Sequence, residues 1–87
     1  MEAFVSAFSN PVRLQLICCL ENGPKNVEEL IGNCGLSQSA VSQHLQKLRN
    51  SGLVKDKKQG KYVYYSLSNK QTVKIAKQIQ RLAKEVN

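Results

Sequence analysis

The sequence has few groups suited to acid–base catalysis. It contains one histidine, His44, and six acidic residues among 87. No nucleophile lies in a pattern that pairs it with a base, and no glycine-rich phosphate loop is present. Because an active site needs several such groups in one place, we do not expect an enzyme, and nothing in the pattern calls for a cofactor.

Long hydrophobic runs are also missing. The longest apolar run extends from Leu16 to Leu20, far shorter than the roughly 20 residues that cross a bilayer. Neither a membrane segment nor a signal peptide is expected, and we predict a cytoplasmic protein. Without a secretory signal, the three cysteines are expected to be thiols rather than a disulfide framework.

The charge is distributed unevenly along the chain. Residues 1–46 carry Arg13 and Lys25 against four glutamates, a net charge of −2, whereas residues 47–87 carry a net charge of +9. The basic half is typical of a surface that binds a polyanion; a merely solvated lysine-rich surface is the alternative. A chain this short forms one domain, residues 1–87, and dimerisation could supply missing burial.

Capping signals predict the order of the elements. Asn10-Pro11, Asn26 and Ser37 are each expected to begin a helix. The first of these helices is expected to stop near Asn22, and the other two at Gly35 and Gly52. An apolar stretch at residues 1–8 precedes them, and Ser68 is expected to cap a last helix after two strands, residues 53–58 and 61–67. The predicted fold is mainly α with a β-hairpin: a winged helix-turn-helix of order α1-α2-α3-α4-β-β-α5.

The helix that follows Ser37 separates two faces. At about 100° per residue, Val41, Leu45 and Leu48 form one apolar stripe, and the opposite face is rich in serine and glutamine. Such side chains can donate to and accept from base edges and phosphates, although an ordinary polar helix surface looks the same. The predicted DNA-binding residues of this segment are Ser37, Gln38, Ser39, Ser42, Gln43, Gln46, Lys47 and Arg49.

The predicted hairpin is strongly basic. Lys57, Lys58 and Lys61 lie beside its turn and are predicted to bind phosphates, which makes binding salt-dependent. Lysines that only protect exposed strand edges are the alternative. The three tyrosines of the second strand are expected to pack rather than to stack on bases.

Three segments resemble the ArsR/SmtB family of bacterial winged-helix repressors: FSNPVRLQLI at 8–17, LSQSAVSQHLQKLRNSGLV at 36–54 and GKYVYYSL at 60–67. The resemblance covers nearly the full length. It implies a homodimer built from the first and last helices, which binds double-stranded operator DNA with an inverted repeat and blocks transcription. It also implies an inducer, often a metal ion or a thiol-reactive species, that relieves operator binding.

The last helix supports a dimer independently of the resemblance. Its apolar residues recur every three or four positions, a spacing typical of helices packed lengthwise; packing within one chain is the alternative. The predicted dimer residues are Phe4, Phe8, Ile75, Ile79, Leu82 and Val86.

The family's usual metal motifs are absent. The segment KNVEELI at 25–31 has no cysteine, and residues 69–87 have neither histidine nor aspartate, so no metal site is predicted. The possible sensor residues are Cys18, Cys19 and Cys34. Cys18 matches a sensing position of sulfide- and redox-responsive members, whose partner cysteine on the last helix is missing here. Buried cysteines that only fill the core are the alternative, and Cys34 is expected to lie too far away to join the other two.

The sequence leaves several functions open. The first is a homodimeric, sequence-specific repressor whose inducer is a sulfur or redox species or arsenite. The alternatives are a similar winged helix that is constitutive, one used for protein–protein contact, and an architectural DNA binder without base preference.

Overall fold

The computed structural model describes residues 2–86; the ends of the predicted 1–87 domain, Met1 and Asn87, lie outside the described residues. The elements follow the predicted order. They are α1 (Glu2–Ser6), α2 (Pro11–Cys19), α3 (Val27–Cys34), α4 (Gln38–Asn50), β1 (Val54–Gln59), β2 (Tyr62–Leu67) and α5 (Gln71–Val86).

The caps at the centre of the chain are those predicted. Asn10 Oδ1 accepts hydrogen bonds from the amides of Val12 and Arg13. Asn26 and Glu29 form a reciprocal capping box. Gly35 ends α3 with φ of 67°, a left-handed conformation that favours glycine. These local hydrogen bonds set the ends of the helices that surround the turn before α4.

Several predicted boundaries are wrong by a few residues. Helix α2 ends at Cys19 rather than near Asn22, because the amide of Leu20 already closes the last turn. Helix α1 ends before Phe8, although the ring centroids of Phe4 and Phe8 are still only 5.4 Å apart. The α5 cap is Asn69 rather than Ser68, since Asn69 Oδ1 accepts from the amide of Gln71 at 2.9 Å.

The core lies around α2. Helices α3, α4 and α5 all pack against it, and α4 also contacts β1. The predicted α4 stripe is confirmed, because Val41, Leu45 and Leu48 are fully buried. The other fully buried large side chains are Leu16, Ile17, Leu20 and Leu30.

A buried arginine fastens α1 to this core. The Arg13 guanidinium donates to the backbone oxygens of Ser6 and Ala7 and to the hydroxyl of Ser9. Buried guanidinium groups need such acceptors. Arg13 therefore fixes where the chain leaves α1 and enters α2.

The strands form one antiparallel hairpin, called the wing below. Val54 pairs with Leu67 at its base and Gln59 with Tyr62 at its tip. The segment before α3 adds a bridge: Lys25 and Tyr65 exchange two backbone hydrogen bonds, of 3.0 and 2.8 Å. The wing is thereby attached to the connection between α2 and α3.

Candidate nucleic-acid interface

Helix α4 presents its polar face to solvent because its apolar face is buried. Its first turn is capped by Ser37, whose Oγ accepts from the amide of Ala40 at 3.2 Å. No acidic residue lies in that turn, so the positive end of the helix dipole is not neutralised. An exposed, uncompensated helix start of this kind suits a phosphate.

All the predicted DNA-binding residues are exposed. They are Ser37, Gln38, Ser39, Ser42, Gln43, Gln46, Lys47, Arg49, Lys57, Lys58 and Lys61. Exposure is a requirement for contact and does not test it, so their roles stay predictions.

One groove joins the start of α4 to the wing. Gln38 from α4 and Lys61 from the wing turn line it together with Tyr62 and Tyr65 of β2, and Glu28 of α3 is the acidic group of this lining. A polar helix residue and a lysine therefore face the same solvent space. This arrangement lets one duplex meet a hydrogen-bonding side chain and a phosphate-binding cation at once.

The wing carries its lysines on exposed positions. Lys57 lies opposite Tyr64 and Lys58 opposite Val63, and the Lys61 ammonium lies 5.3 Å from the Tyr62 ring centroid. Tyr65 packs against the core, whereas Tyr62 is 36% exposed. The expectation that the tyrosines pack is therefore met by Tyr65, whereas the Tyr62 side chain is open to solvent.

Two interactions at the interface were not predicted. Arg49 Nε lies 3.2 Å from Asp56 Oδ1, so α4 is paired with β1, and Lys25 bridges to Tyr65. The opposite charges of Arg49 and Asp56 were visible in the sequence. The Lys25 bridge is made by backbone atoms alone, and no side-chain pattern signals it.

His44 is half-buried beside the apolar stripe of α4. Its Nδ1 atom is buried and has no hydrogen-bond partner among the described residues. Burial, followed by the positive charges of Arg13 and Lys47, lowers the pKa of His44 below its ordinary value. A neutral imidazole at neutral pH is the consequence.

The cysteine prediction is wrong for two of the three residues. Cys19 and Cys34 form a disulfide, with their Cα atoms 6.6 Å apart. The expectation that Cys34 lies too far away fails because α2 and α3 pack so that their C-terminal ends meet. Gln15 strengthens this junction by donating from Nε2 to the Cys34 carbonyl oxygen at 2.7 Å.

Cys18 is a free, partly buried thiol. Its sulfur lies 3.7 Å from Gln80 Oε1 of α5. Burial, the largest effect, and Glu21 raise the pKa of the Cys18 thiol, and the opposing effect of Lys77 is smaller. Cys18 is therefore protonated at neutral pH and less nucleophilic than an exposed cysteine.

The predicted dimer residues differ in exposure. Phe4, Ile75 and Leu82 are between 42% and 48% exposed and Val86 is 86% exposed, whereas Phe8 and Ile79 pack partly on the core. Apolar side chains on one face of a helix that remain this exposed are typical of a surface that a partner covers.

Among residues 2–86, no cluster of three or more His, Cys, Asp or Glu could hold a metal ion. Within the same residues, no helix is both long and apolar enough to cross a membrane.

Residues 10–56 match the model of the arsR family of bacterial regulatory proteins. The chain belongs to this family. It is 39% identical over 83 residues to the transcriptional activator HlyU of Vibrio cholerae, covering 95% of this chain and 77% of HlyU. A solved HlyU structure superposes with a TM-score of 0.76 over 92% of this chain and 87% of that chain, also at 39% identity.

Two further solved structures support the fold. The transcriptional repressor BigR of Xylella fastidiosa matches with a TM-score of 0.79 and 31% identity, over 93% of this chain and 83% of BigR. The homodimeric winged helix-turn-helix domain Mb0332 of Mycobacterium bovis matches with a TM-score of 0.77 and 27% identity, over 97% and 78%. The predicted fold is confirmed.

The family is one of DNA-binding transcriptional regulators and not of enzymes. Its members here include a repressor and a homodimer. These relatives support the prediction that this arsR-family chain is a homodimeric, DNA-binding repressor.

Proposed function

We propose that this arsR-family protein is a homodimeric repressor that binds an inverted-repeat operator. The observation that carries the proposal is the groove in which Gln38 of α4 and Lys61 of the wing face one solvent space. The first turns of α4 enter the major groove, where Gln38, Ser39, Ser42 and Gln43 contact base edges. Lys57, Lys58 and Lys61 bind the adjacent phosphates. A DNA target implies action in the bacterial cytoplasm.

Two-fold symmetry follows from the dimer. The exposed apolar face of α5, together with Phe4, is covered by the same face of a second copy, as in an isologous dimer. Such a dimer presents two α4 helices related by a two-fold axis, so its preferred site has two inverted half-sites. Occupation of that site excludes RNA polymerase from an overlapping promoter.

The test is selection of binding sites from a random duplex pool, followed by anisotropy titrations at several salt concentrations. We expect an enriched inverted repeat that binds at least 1,000-fold more tightly than a scrambled duplex, the lower end of the usual range for specific DNA binders. Equal affinity for both duplexes would make the protein an architectural binder. Failure to bind any duplex at physiological salt would favour a protein-interaction module.

We also propose that a thiol–disulfide change is the input that relieves repression. The observation that favours it is the Cys19–Cys34 disulfide, whose second cysteine lies three residues before the Ser37 cap of α4. Reduction of the disulfide by an external dithiol adds two electrons and two protons, leaves two protein thiols and oxidises the dithiol to its own disulfide; a peroxide reverses the change in the protein and is itself reduced to water. Disulfides in intracellular proteins commonly have such a redox-sensing role.

The coupling to α4 runs through the turn between α3 and α4. The disulfide and the hydrogen bond from Gln15 to the Cys34 carbonyl both fix this turn to α2. Breaking the disulfide leaves the hydrogen bond and the packing of Leu36 on the core. The position of the Ser37 cap, and with it the first turn of α4, is then less restricted.

Operator affinity is compared in reduced and peroxide-treated protein, with Cys19→Ser, Cys34→Ser and Cys18→Ser variants. We expect the reduced wild-type protein to bind its operator at least fivefold more weakly than the peroxide-treated protein, a difference that is absent in the first two variants and kept in the third. Loss of the response only in Cys18→Ser would assign the input to Cys18. Equal affinity in both states of the wild-type protein would refute a thiol input.

A further inference from the structure

Helix α5 carries a row of cations that neither the dimer nor the α4 surface uses. Lys74, Lys77, Arg81 and Lys84 are all exposed and fall within an arc of about 80° at 100° per residue. Lys70 continues the row just before the helix begins. We call these five residues the α5 basic stripe. It is centred about 150° from the exposed apolar face of the same helix.

The like charges of the stripe destabilise α5. Each member has its neighbour three or four residues away, the spacing at which like charges destabilise a helix. The first turn of α5 contains no acidic residue, so Lys70 and Lys74 lie at the positive end of the helix dipole without compensation.

Acidic groups offset part of this charge. Glu21 Oε1 lies 3.0 Å from Lys77 Nζ, and Glu85 follows Arg81 by one turn. The Arg81 guanidinium is instead bound to Gln78 Oε1, at 2.5 Å. The stripe therefore keeps most of its positive charge, and local rules broken without a structural gain mark functional sites.

One end of the stripe, at Lys70, lies away from the surface proposed to read bases. Lys70 follows the base of the wing, where the amide of Ser68 donates to the Leu53 oxygen just after α4 ends. The first turn of α4, with Gln38, is at the opposite end of a 13-residue helix, about 20 Å away. A duplex inserted at that first turn does not place the same phosphates beside α5.

We propose that the α5 basic stripe binds the phosphate backbone of a second DNA duplex, so that the operator-bound dimer joins two DNA segments. The stripe is linear, with about 15 Å between Lys74 and Lys84 at 1.5 Å per residue. No exposed aromatic or aliphatic side chain interrupts it, whereas the cores of protein interfaces are enriched in aromatic side chains and membrane-bound helices insert apolar ones. Evenly spaced cations without base-reading groups fit a sequence-independent phosphate contact.

The proposal rests on the proposed operator binding. Operator affinity is therefore measured separately from capture of the second duplex. Beads carry a duplex with the full inverted repeat, which occupies both α4 helices of a dimer, and a labelled non-operator duplex is added at low salt. The variants are the charge-removing K74Q/R81Q/K84Q and the charge-keeping K74R/K84R. Operator affinity is measured for each by anisotropy.

We expect the wild-type protein and K74R/K84R to capture the second duplex. K74Q/R81Q/K84Q should lower capture at least tenfold while changing operator affinity less than threefold. Glu21→Gln, which frees Lys77, should raise capture about twofold. In a plot of the logarithm of affinity for the second duplex against the logarithm of salt concentration, the slope should be shallower by about two to three units in the triple variant.

Three results would overturn the proposal. Equal capture by the triple variant would mean that α4 or the wing holds the second duplex. A parallel loss of operator affinity would place the stripe on the operator itself. No capture by wild-type protein that binds its operator, with stripe-dependent binding of polyglutamate or anionic vesicles instead, would assign the stripe to another partner. If no operator is bound at all, the proposed function fails first.

Discussion

Arg49 Nε lies 3.2 Å from Asp56 Oδ1, which pairs the last turn of α4 with the first strand of the wing. Both side chains are partly exposed, at 49% and 34%, so the pair contributes at most about 1 kcal/mol to stability. Its larger effect is on the interface, because the carboxylate offsets one cation of the surface proposed to bind DNA.

Asp56→Asn is therefore expected to strengthen non-specific binding. Removal of the carboxylate frees Arg49 for a phosphate, so affinity for a scrambled duplex should rise about three- to tenfold at low salt, with a salt slope steeper by about one unit. Thermal stability should change little. Asp56→Asn combined with Arg49→Gln is the control, and unchanged scrambled-duplex affinity in the single variant would show that Arg49 does not reach DNA.

Gln43 and Lys58 are expected to contribute differently. Gln43→Ala should reduce the preference for operator over mismatched duplexes by about 1–3 kcal/mol, since it removes a base-edge contact. Lys58→Ala should weaken binding to all duplexes alike and lower the salt slope by about one unit. Salt-titrated anisotropy separates the two effects, and a uniform loss in Gln43→Ala would remove Gln43 from base recognition.

Leu82→Asp is expected to break the dimer. Leu82 is 48% exposed in the single chain, so the substitution should spare the monomer's core but place a carboxylate in the buried dimer face, where an unpaired charge is costly. Light scattering should report a monomer and circular dichroism a folded one, with operator affinity lowered at least 100-fold. Gln78→Asp, on an exposed polar position of the same helix, is the matched control. A dimeric Leu82→Asp protein would place the interface elsewhere.

We expect the folded protein to lose stability in mild acid because of His44. Because burial, Arg13 and Lys47 lower the pKa of the folded-state imidazole, the unfolded chain binds a proton first as pH falls. Stability is therefore full above the ordinary pKa of about 6.5 and declines as pH drops below that value towards the lowered folded-state pKa. Urea titrations from pH 7.5 to 5 should show this decline, which His44→Gln should reduce. Identical pH profiles for the two proteins would contradict it.

Much of the fold could be predicted because its signals are local. The caps at Asn26 and Ser37, the left-handed Gly35 and the buried stripe of α4 each depend on residues a few positions apart. The Asn69 cap was missed because Ser68, one residue earlier, fits the same pattern. Capping boxes predict a helix start more reliably than the residue that makes it.

The contacts that the sequence did not predict join distant segments. The Cys19–Cys34 pair depends on how α2 and α3 pack, which periodicity along one helix does not contain. The exposed DNA-binding candidates were predictable, since the buried stripe of α4 determines which side chains point outward. The Gln38–Lys61 groove was not, because it depends on where the wing folds back.

The backbone bridge between Lys25 and Tyr65 has a consequence for motion. A two-stranded hairpin alone is marginally stable, but here a residue of β2 is held by the segment that enters α3. The base of the wing is therefore attached to the α2–α3 connection, whereas its tip, at Gln59 and Gly60, is not. A shift of that connection would move β2 with it and change how far Lys57, Lys58 and Lys61 reach.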